Sequence, residues 1–389
     1  MTPPSATTRL IAMLALGVFA GTLQTRITDP IVAVLAQDFG ATTARVALIA
    51  SAYALPFALI QPILGPVGDA MGKRRVITVA LSVLTIMLIA SAFVPNLDSL
   101  LVVRALAGLA AGGVMPLTIA MVGDAVPVQG RQVALSRLLA VVITGQIAGG
   151  SMSGLLEPYL GWRGVMLAAS VLPAIAVAGL ILGGRALPSE PHARFDPIQA
   201  IQRYRQIMRM PAARVLYISV AIEGGCIFGV FPYFAPMLRD SGLGSTAEAG
   251  MTVAAFGVGG LIYAAIAKPL LHRIGPERLV QLGGGLCLVA QIGFALAPSA
   301  WAFMAAGLLL GTGMYMIHNF IQTRVTELAP HARGSAVALH AFHFYGGQTI
   351  GPVVIGLMLR RLGEMPAMAL SGLALLALAF WLGRLARGG

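Results

Sequence analysis

Four ionisable residues stand inside long apolar stretches, where a charge is costly and tends to be kept for a purpose: Arg26, Asp29, Arg104 and Glu223. Arg26 and Asp29 are three residues apart, a spacing that puts them on one helix face as a ready ion pair. Such a pair either stays static or opens when a proton or substrate arrives, leaving Asp29 to couple or to bind. Glu223 lies among Gly224, Gly225 and Cys226 and has no basic residue within four positions. With no partner on its own helix, it is the better proton-carrier candidate. Arg104 falls about a turn inside its apolar stretch, where it serves either proton movement or simple outward snorkelling. A second polar set follows late in the chain: His318, Asn319, Gln322, His340, His343 and Gln348. Histidine titrates in the useful pH range. No carboxylate is clearly at the same depth, so hydrogen bonding is expected there and a metal site is not.

These groups need elements to hold them, and the composition says which. Of 389 residues, 58% are hydrophobic and 10% charged, and the mean hydropathy is +0.86. Soluble domains carry about 25% charged residues, so this chain belongs in a bilayer. Two cysteines exclude a disulfide scaffold, and Cys226 and Cys287 show no sign of pairing or reactivity. The sequence has no zinc-like spacing, no phosphate-binding glycine loop and no nucleophile–base pair, so neither an enzyme nor a cofactor is expected. At about 20 apolar residues per crossing, candidate spans fall at roughly 10–36, 46–67, 76–94, 100–123, 134–156, 164–182, 215–237, 249–271, 279–297, 300–323, 335–359 and 367–385. The runs are continuous and lack alternation, which excludes a β-barrel. The first is too long, and too polar at Arg26 and Asp29, to read as a signal peptide.

Orientation follows from Lys and Arg. With the N-terminus inside, 19 of the 26 basic residues fall in cytoplasmic segments and five in outer loops. Both termini are therefore expected in the cytoplasm. The net charge of +12 reflects this topology and anionic lipid, not nucleic acid. Short loops without glycosylation sequons on the outer side suggest a bacterial inner membrane.

The chain divides into residues 1–182, a polar linker at 183–214, and 215–389. In the linker, Asp196 and Pro197 read as a helix start, and Ile198, Ile201, Tyr204, Ile207 and Met208 recur at helical spacing among Arg203, Arg205 and Arg209. A basic amphipathic helix on the membrane surface is expected. The flanking parts repeat at an offset of 202–203 residues. Gly145, Gly149, Gly150 and Gly154 in span five match Gly347, Gly351, Pro352 and Gly356 in span eleven. Small residues four apart let helices pack closely. Two six-span units in the same orientation form a parallel repeat, which places a substrate site at the midplane between them.

The segment GPVGDAMGKRR at 65–75, Arg104 with Gly108 and Gly112, the run from Gly145 to Gly154, and Gly161-Trp162-Arg163 together resemble the major facilitator superfamily over the whole chain. The span-five run is similar to the helix motif of drug:proton antiporters, but has Gly150 in place of Pro and Ser153 in place of Gly. The resemblance implies an all-α integral membrane protein of twelve transmembrane helices in two parallel-repeat six-helix bundles, moving a small molecule by alternating access. It also implies a conformational latch of Gly65, Asp69, Gly72, Arg74, Arg75 and Asp124. There Asp69 would accept from the start of span eleven, and Asp124 would pair with Arg74 or Arg75. For Arg104 it implies a role in proton movement.

Proton coupling is assigned to Asp29, Glu223 and Arg104. The substrate cavity is assigned to Arg26, Tyr53, Phe57, Gln146, Phe231, His318, Asn319, Gln322 and His343. The favoured function is proton-driven efflux of small, partly apolar, drug-like molecules. The alternative is proton-coupled transport of one small metabolite such as an organic anion or sugar, motivated by Arg26 and Arg104. A receptor or scaffold would not need charge within the membrane. The expected partners are a small-molecule substrate and membrane lipid, with the monomer as the working unit and a proton as the coupling ion.

Overall fold

A computed structural model describes residues 6–125, 128–183, 197–329 and 332–387, all helical or in short connections. The helices are α1 (Ala6–Leu23), α2 (Val32–Asp38), α3 (Thr43–Met71), α4 (Lys73–Ser91), α5 (Leu97–Ala111), α6 (Val114–Ala125) and α7 (Val128–Gly183). After the linker come α8 (Pro197–Arg209), α9 (Pro211–Phe228), α10 (Phe234–Asp240), α11 (Thr246–Leu296), α12 (Ala300–Leu328), α13 (Arg333–Leu362) and α14 (Glu364–Arg387). Among the described residues these make twelve membrane crossings. α1 with α2, α5 with α6, and α9 with α10 each form one broken crossing. α7 and α11 each form two, divided at Gly161 and Gly275, whose φ values of 65° and 74° no helix accommodates.

The repeat is written into turns and caps. Glycines with positive φ occur in pairs at the repeat offset: Gly40 with Gly242, Gly72 with Gly275, and Gly161 with Gly363. The helix starts follow suit. Thr42 and Asn96 cap α3 and α5 by accepting from the Arg45 and Ser99 amides, while Ser245 and Ser299 start α11 and α12. Each half has its own apolar core, around Leu35, Leu81 and Leu100 in the first and Tyr217, Phe234 and Leu310 in the second. Large apolar side chains such as Phe93, Val102, Trp301 and Ile350 point outward, as a lipid-facing surface requires.

Spans one and seven are not the continuous helices expected. Both break near their middles, at residues 24–31 and 229–233, and resume as the seven-residue helices α2 and α10. Pro30 and Pro232, again 202 apart, contribute by lacking an N–H. The carbonyl that Pro30 would leave free, on Arg26, accepts from the Asp29 amide at 3.3 Å instead. Span four is interrupted too, at Gly112–Gly113. Pro116 cannot donate to the Gly112 carbonyl, and Gln61 Nε2 donates to it at 3.0 Å from span two. Proline-freed carbonyls are thus satisfied either by a nearby amide, as at Arg26, or by a neighbouring helix, as at Gly112.

The linker helix α8 follows the same logic. Ile207 is buried in the second core, and Tyr204 donates to the Pro62 carbonyl at 2.8 Å, whose helical donor would be the N–H that Pro66 lacks. The remainder of the polar linker, 184–196, lies outside the described residues.

The halves meet closely on the side away from α8. A Cβ at Gly154 would overlap the Thr246 carbonyl and Gly250, and one at Gly150 would overlap Val253. Thr246 donates to Glu157 at 3.2 Å, and Ser51 donates to the Thr349 carbonyl at 2.6 Å between spans two and eleven. Just beyond span one, Asp38 accepts from Trp162 Nε1 and Arg163, each at 2.9 Å. The Trp162 hydrogen bond and the Arg163 cation hold its carboxyl below the usual range. On the α8 side the same helices part. Along α11, Val253 and Gly257 touch span five, while Leu261, Ala264 and Lys268 on that face are exposed. Along α12, Tyr315 sits between the halves, while Asn319 and Thr323, one and two turns on, are exposed. Among the described residues, the halves touch on the far side and part toward the linker.

Candidate functional site

The broken centre of span one presents a run of polar residues, Gln24, Thr25, Arg26, Thr28 and Asp29, all buried. The break brings Arg26 into the plane between the halves. Arg26 is the hub. Its Nη1 lies 3.4 Å from Asp29 Oδ2, and its Nη2 donates to Gln348 Oε1 on α13, in the other half. The guanidinium carbon lies over the Phe228 ring, 3.8 Å from its centroid, with Phe231 at 5.2 Å. Phe228 and Phe231 are the repeat equivalents of Arg26 and Asp29. The two equivalent positions therefore meet at the pseudo-twofold axis, the one place equally available to either half.

Two cavities flank Arg26, each of about 10 Å³, room for about one water. One lies toward Gln146, Phe231, Phe256 and Tyr315, the other toward Tyr53, Tyr345 and Gln348. Phe57 backs the second, 4.2 Å from Tyr345 ring to ring. The site is a permanent cation with a carboxylate and a carboxamide on it, walled by rings. Nε of Arg26 and Oδ1 of Asp29 have no partner among the described residues, so the pair is incompletely satisfied. A ligand carrying both acceptor and donor atoms would complete it.

Arg104 does not snorkel. It is fully buried, its Nη2 donates to the Gln24 carbonyl at 2.8 Å, and its guanidinium lies 4.4 Å from the Tyr53 ring. It braces the broken segment that carries Arg26, while Tyr53 donates to the Gly21 carbonyl at 3.1 Å.

Glu223 is fully buried on α9 and finds the partner its own helix lacks: His318 Nδ1, on α12, lies 2.9 Å from Oε2. The late polar set therefore does have a carboxylate at its depth, contrary to the expectation from spacing. His340 lies edge-on to His318 at 5.2 Å. His343 is not brought to the Arg26 cavities. It stacks on Tyr217 at 4.9 Å, and its Nδ1 meets the Leu339 carbonyl at 2.7 Å. Asn319 lies a turn from Tyr315 toward the opening, where it donates to Tyr263 at 3.3 Å; Gln322 is further along the same helix. Gln348 was named in the late polar set but not assigned to the cavity, and Tyr315 and Tyr345 were passed over. Only the repeat could have pointed there, since it places Phe228 opposite Arg26.

The glycine rows do two jobs. Gly145 and Gly149 pack span five on α1, and Gly347 and Gly351 pack span eleven on α9, within each half. Gly150 and Gly154 instead face the other half. Gly356 and Pro352 receive Tyr233, whose hydroxyl donates to the Pro352 carbonyl at 2.7 Å. Of the expected latch, Gly72 makes the turn between α3 and α4 at φ 87°, and Arg74 donates to the Leu180 carbonyl at 2.9 Å. Arg75 is exposed. The Gly65, Asp69 and Asp124 positions lie outside the described side chains.

Two pseudo-symmetric six-helix bundles, touching on one side around a charged centre and parted on the other among the described residues, are the architecture of a membrane transporter. The chain belongs to the Major Facilitator Superfamily, whose model matches residues 14–352. It is similar to a gallate transporter of Pseudomonas putida, 26% identical over 88% of this chain and 85% of that one. It is also similar to the 4-hydroxybenzoate transporter PcaK of Pseudomonas aeruginosa, 23% identical over 70% and 68%. The multi-drug resistance efflux pump PmrA of Streptococcus pneumoniae is 25% identical over 83% and 82%. In fold it matches the nucleoside transporter NupG at a TM-score of 0.76 and 14% identity, over 99% of both chains. A bacterial Spinster homologue solved inward-facing and unoccupied matches at 0.75 and 14% over 98% of both.

Proposed function

We propose that the protein is a proton-coupled carrier of a small organic anion with a flat apolar body, an aromatic carboxylate being the class that fits best. The observation that carries this reading is Arg26, a buried guanidinium on the pseudo-axis, flanked by both cavities and lying over the Phe228 ring. A planar fork matches a carboxylate, and the rings of Phe231, Phe256, Tyr315 and Tyr345 suit an aromatic body. The transport activities named for the gallate and 4-hydroxybenzoate relatives are in keeping with it. Coupling follows from charge. Arg26 and Asp29 already sum to zero, so an arriving anion leaves one uncompensated buried negative charge, and a proton bound with it removes that cost. The open side, which bears the linker, is read as cytoplasmic, and the membrane as a bacterial inner membrane.

Efflux of partly apolar compounds remains the second reading. The ring-rich lining and the PmrA relative favour it. Calorimetric titration of the purified protein with 4-hydroxybenzoate, in two buffers of different ionisation enthalpy, separates the two. The anion reading expects binding with uptake of about one proton, and at least about tenfold weaker binding of the neutral amide analogue. Equal binding of the amide, or proton release on binding, would favour efflux.

A further inference from the structure

We propose that Glu223 and His318 together form the seat of the coupling proton, and that His318 is the port through which it exchanges with the linker side. The inference rests on the carrier reading for the word coupling, and on its own geometry for the site. Glu223 is fully enclosed, while the His318 side chain keeps 14% of its surface accessible. His318 shares a helix face with Gln322, one turn nearer the opening, so its ring stands between that opening and the buried acid. Glu223 Oε1 has no partner among the described residues, and so the carboxylate has one oxygen unsatisfied in an apolar interior. A proton removes that cost.

The surroundings are suited to one mobile proton. α12 contributes His318 and Tyr315. α13 contributes His340, whose Nε2 is buried without a partner among the described residues, with His343 beyond it on Tyr217. α11 contributes the neutral Cys287 and Gln291; Gln291, with Ser371 of α14, donates to the Cys226 carbonyl beside Glu223. Tyr315 lies within electrostatic reach of both Glu223 and Arg26 and lines the Arg26 cavity. Tyr315 thus stands between the anion site and the proton seat, and negative charge added at Arg26 favours protonation of Glu223 only at long range, without direct contact. The transfer balances. A hydronium on the linker side gives a proton to His318 Nε2, His318 Nδ1–H passes its own to Glu223 Oε2, and both groups end neutral with the imidazole in its other tautomer. Asp29 lacks such a route, since its side chain and that of Arg26 are 1% and 5% exposed.

The test is an infrared pH titration of the full-length protein in lipid nanodiscs, which needs no substrate. Wild type should show a protonated-carboxyl C=O band that titrates and that disappears in Glu223→Gln. In His318→Gln, which retains a hydrogen-bonding amide, the midpoint of that band should move by about one pH unit or more. Survival of the whole band in Glu223→Gln would move the proton to Asp29. An unmoved midpoint in His318→Gln would remove the port, and that variant decides the matter alone if Glu223→Gln does not fold. If the band behaves as expected while 4-hydroxybenzoate fails to bind, the substrate assignment falls and the proton seat stands.

Discussion

Arg26→Gln should abolish anion transport and also destabilise the protein, and these two losses should be separable. Removing the guanidinium strands Asp29 in a site with no exposure, and breaking one side of a buried ion pair costs about 3–5 kcal/mol. The melting temperature should fall accordingly. The double variant Arg26→Gln with Asp29→Asn removes the stranded charge, so most of that stability should return. Transport should not return with it. Loss of a buried charged partner for a carboxylate costs about 2 kcal/mol or more, which is about thirtyfold or more in affinity. Arg26→Lys should keep much of the stability but lose the planar fork that lies over Phe228 and meets Gln348. Uptake and melting measured on the three variants check this. A double variant that regained both stability and transport would make the pair structural only.

Gly149→Leu and Gly154→Leu should fail in different ways, though the residues are five apart on one helix. A side chain at Gly149 would overlap the Leu23 carbonyl within the first half. That contact packs the broken span one against span five within one half, so the substitution should destabilise by about 1–3 kcal/mol or prevent folding. A side chain at Gly154 would overlap the Thr246 carbonyl across the two halves, on the side that is closed here. It should leave each half intact but keep the far side from closing. The expected signature is normal melting with transport reduced about tenfold or more. A cysteine placed at Ser51, buried at the span two–span eleven contact, should become reactive to an impermeant maleimide from the far side. Replacing Cys226 and Cys287 by Ala keeps that readout clean. Equal melting losses in both variants would mean that span five packs as one face.

The repeat was the most legible feature of the sequence, carried by the glycines of spans five and eleven; the structure adds the paired turns at Gly72 and Gly275, the helix starts at Thr42 and Ser245, and the prolines Pro30 and Pro232. What escaped was where a crossing stops being helical. Gln24, Thr25 and Thr28 barely lower the hydropathy of span one, and hydropathy cannot register a φ/ψ change. The pair Arg26–Asp29 was visible from spacing, since its partners are three residues apart. Glu223–His318 was not, because its partners are 95 positions apart and lie on helices that only packing brings together. Arg104 was placed near a membrane edge by counting, yet it turns inward because Gln24, in the broken segment, offers it a carbonyl. His343 carried the right chemistry on the wrong face of α13, one turn from the residue that faces His318.

The central claim is that an anion on Arg26 and a proton travel together. Its most direct test is purified protein in liposomes containing a pH dye, with 4-hydroxybenzoate added outside under an imposed pH gradient. The account predicts that protons enter with the anion, and that this movement is absent in the Arg26→Gln, Asp29→Asn double variant. Protons leaving as the compound enters would contradict it, and would make the protein an antiporter.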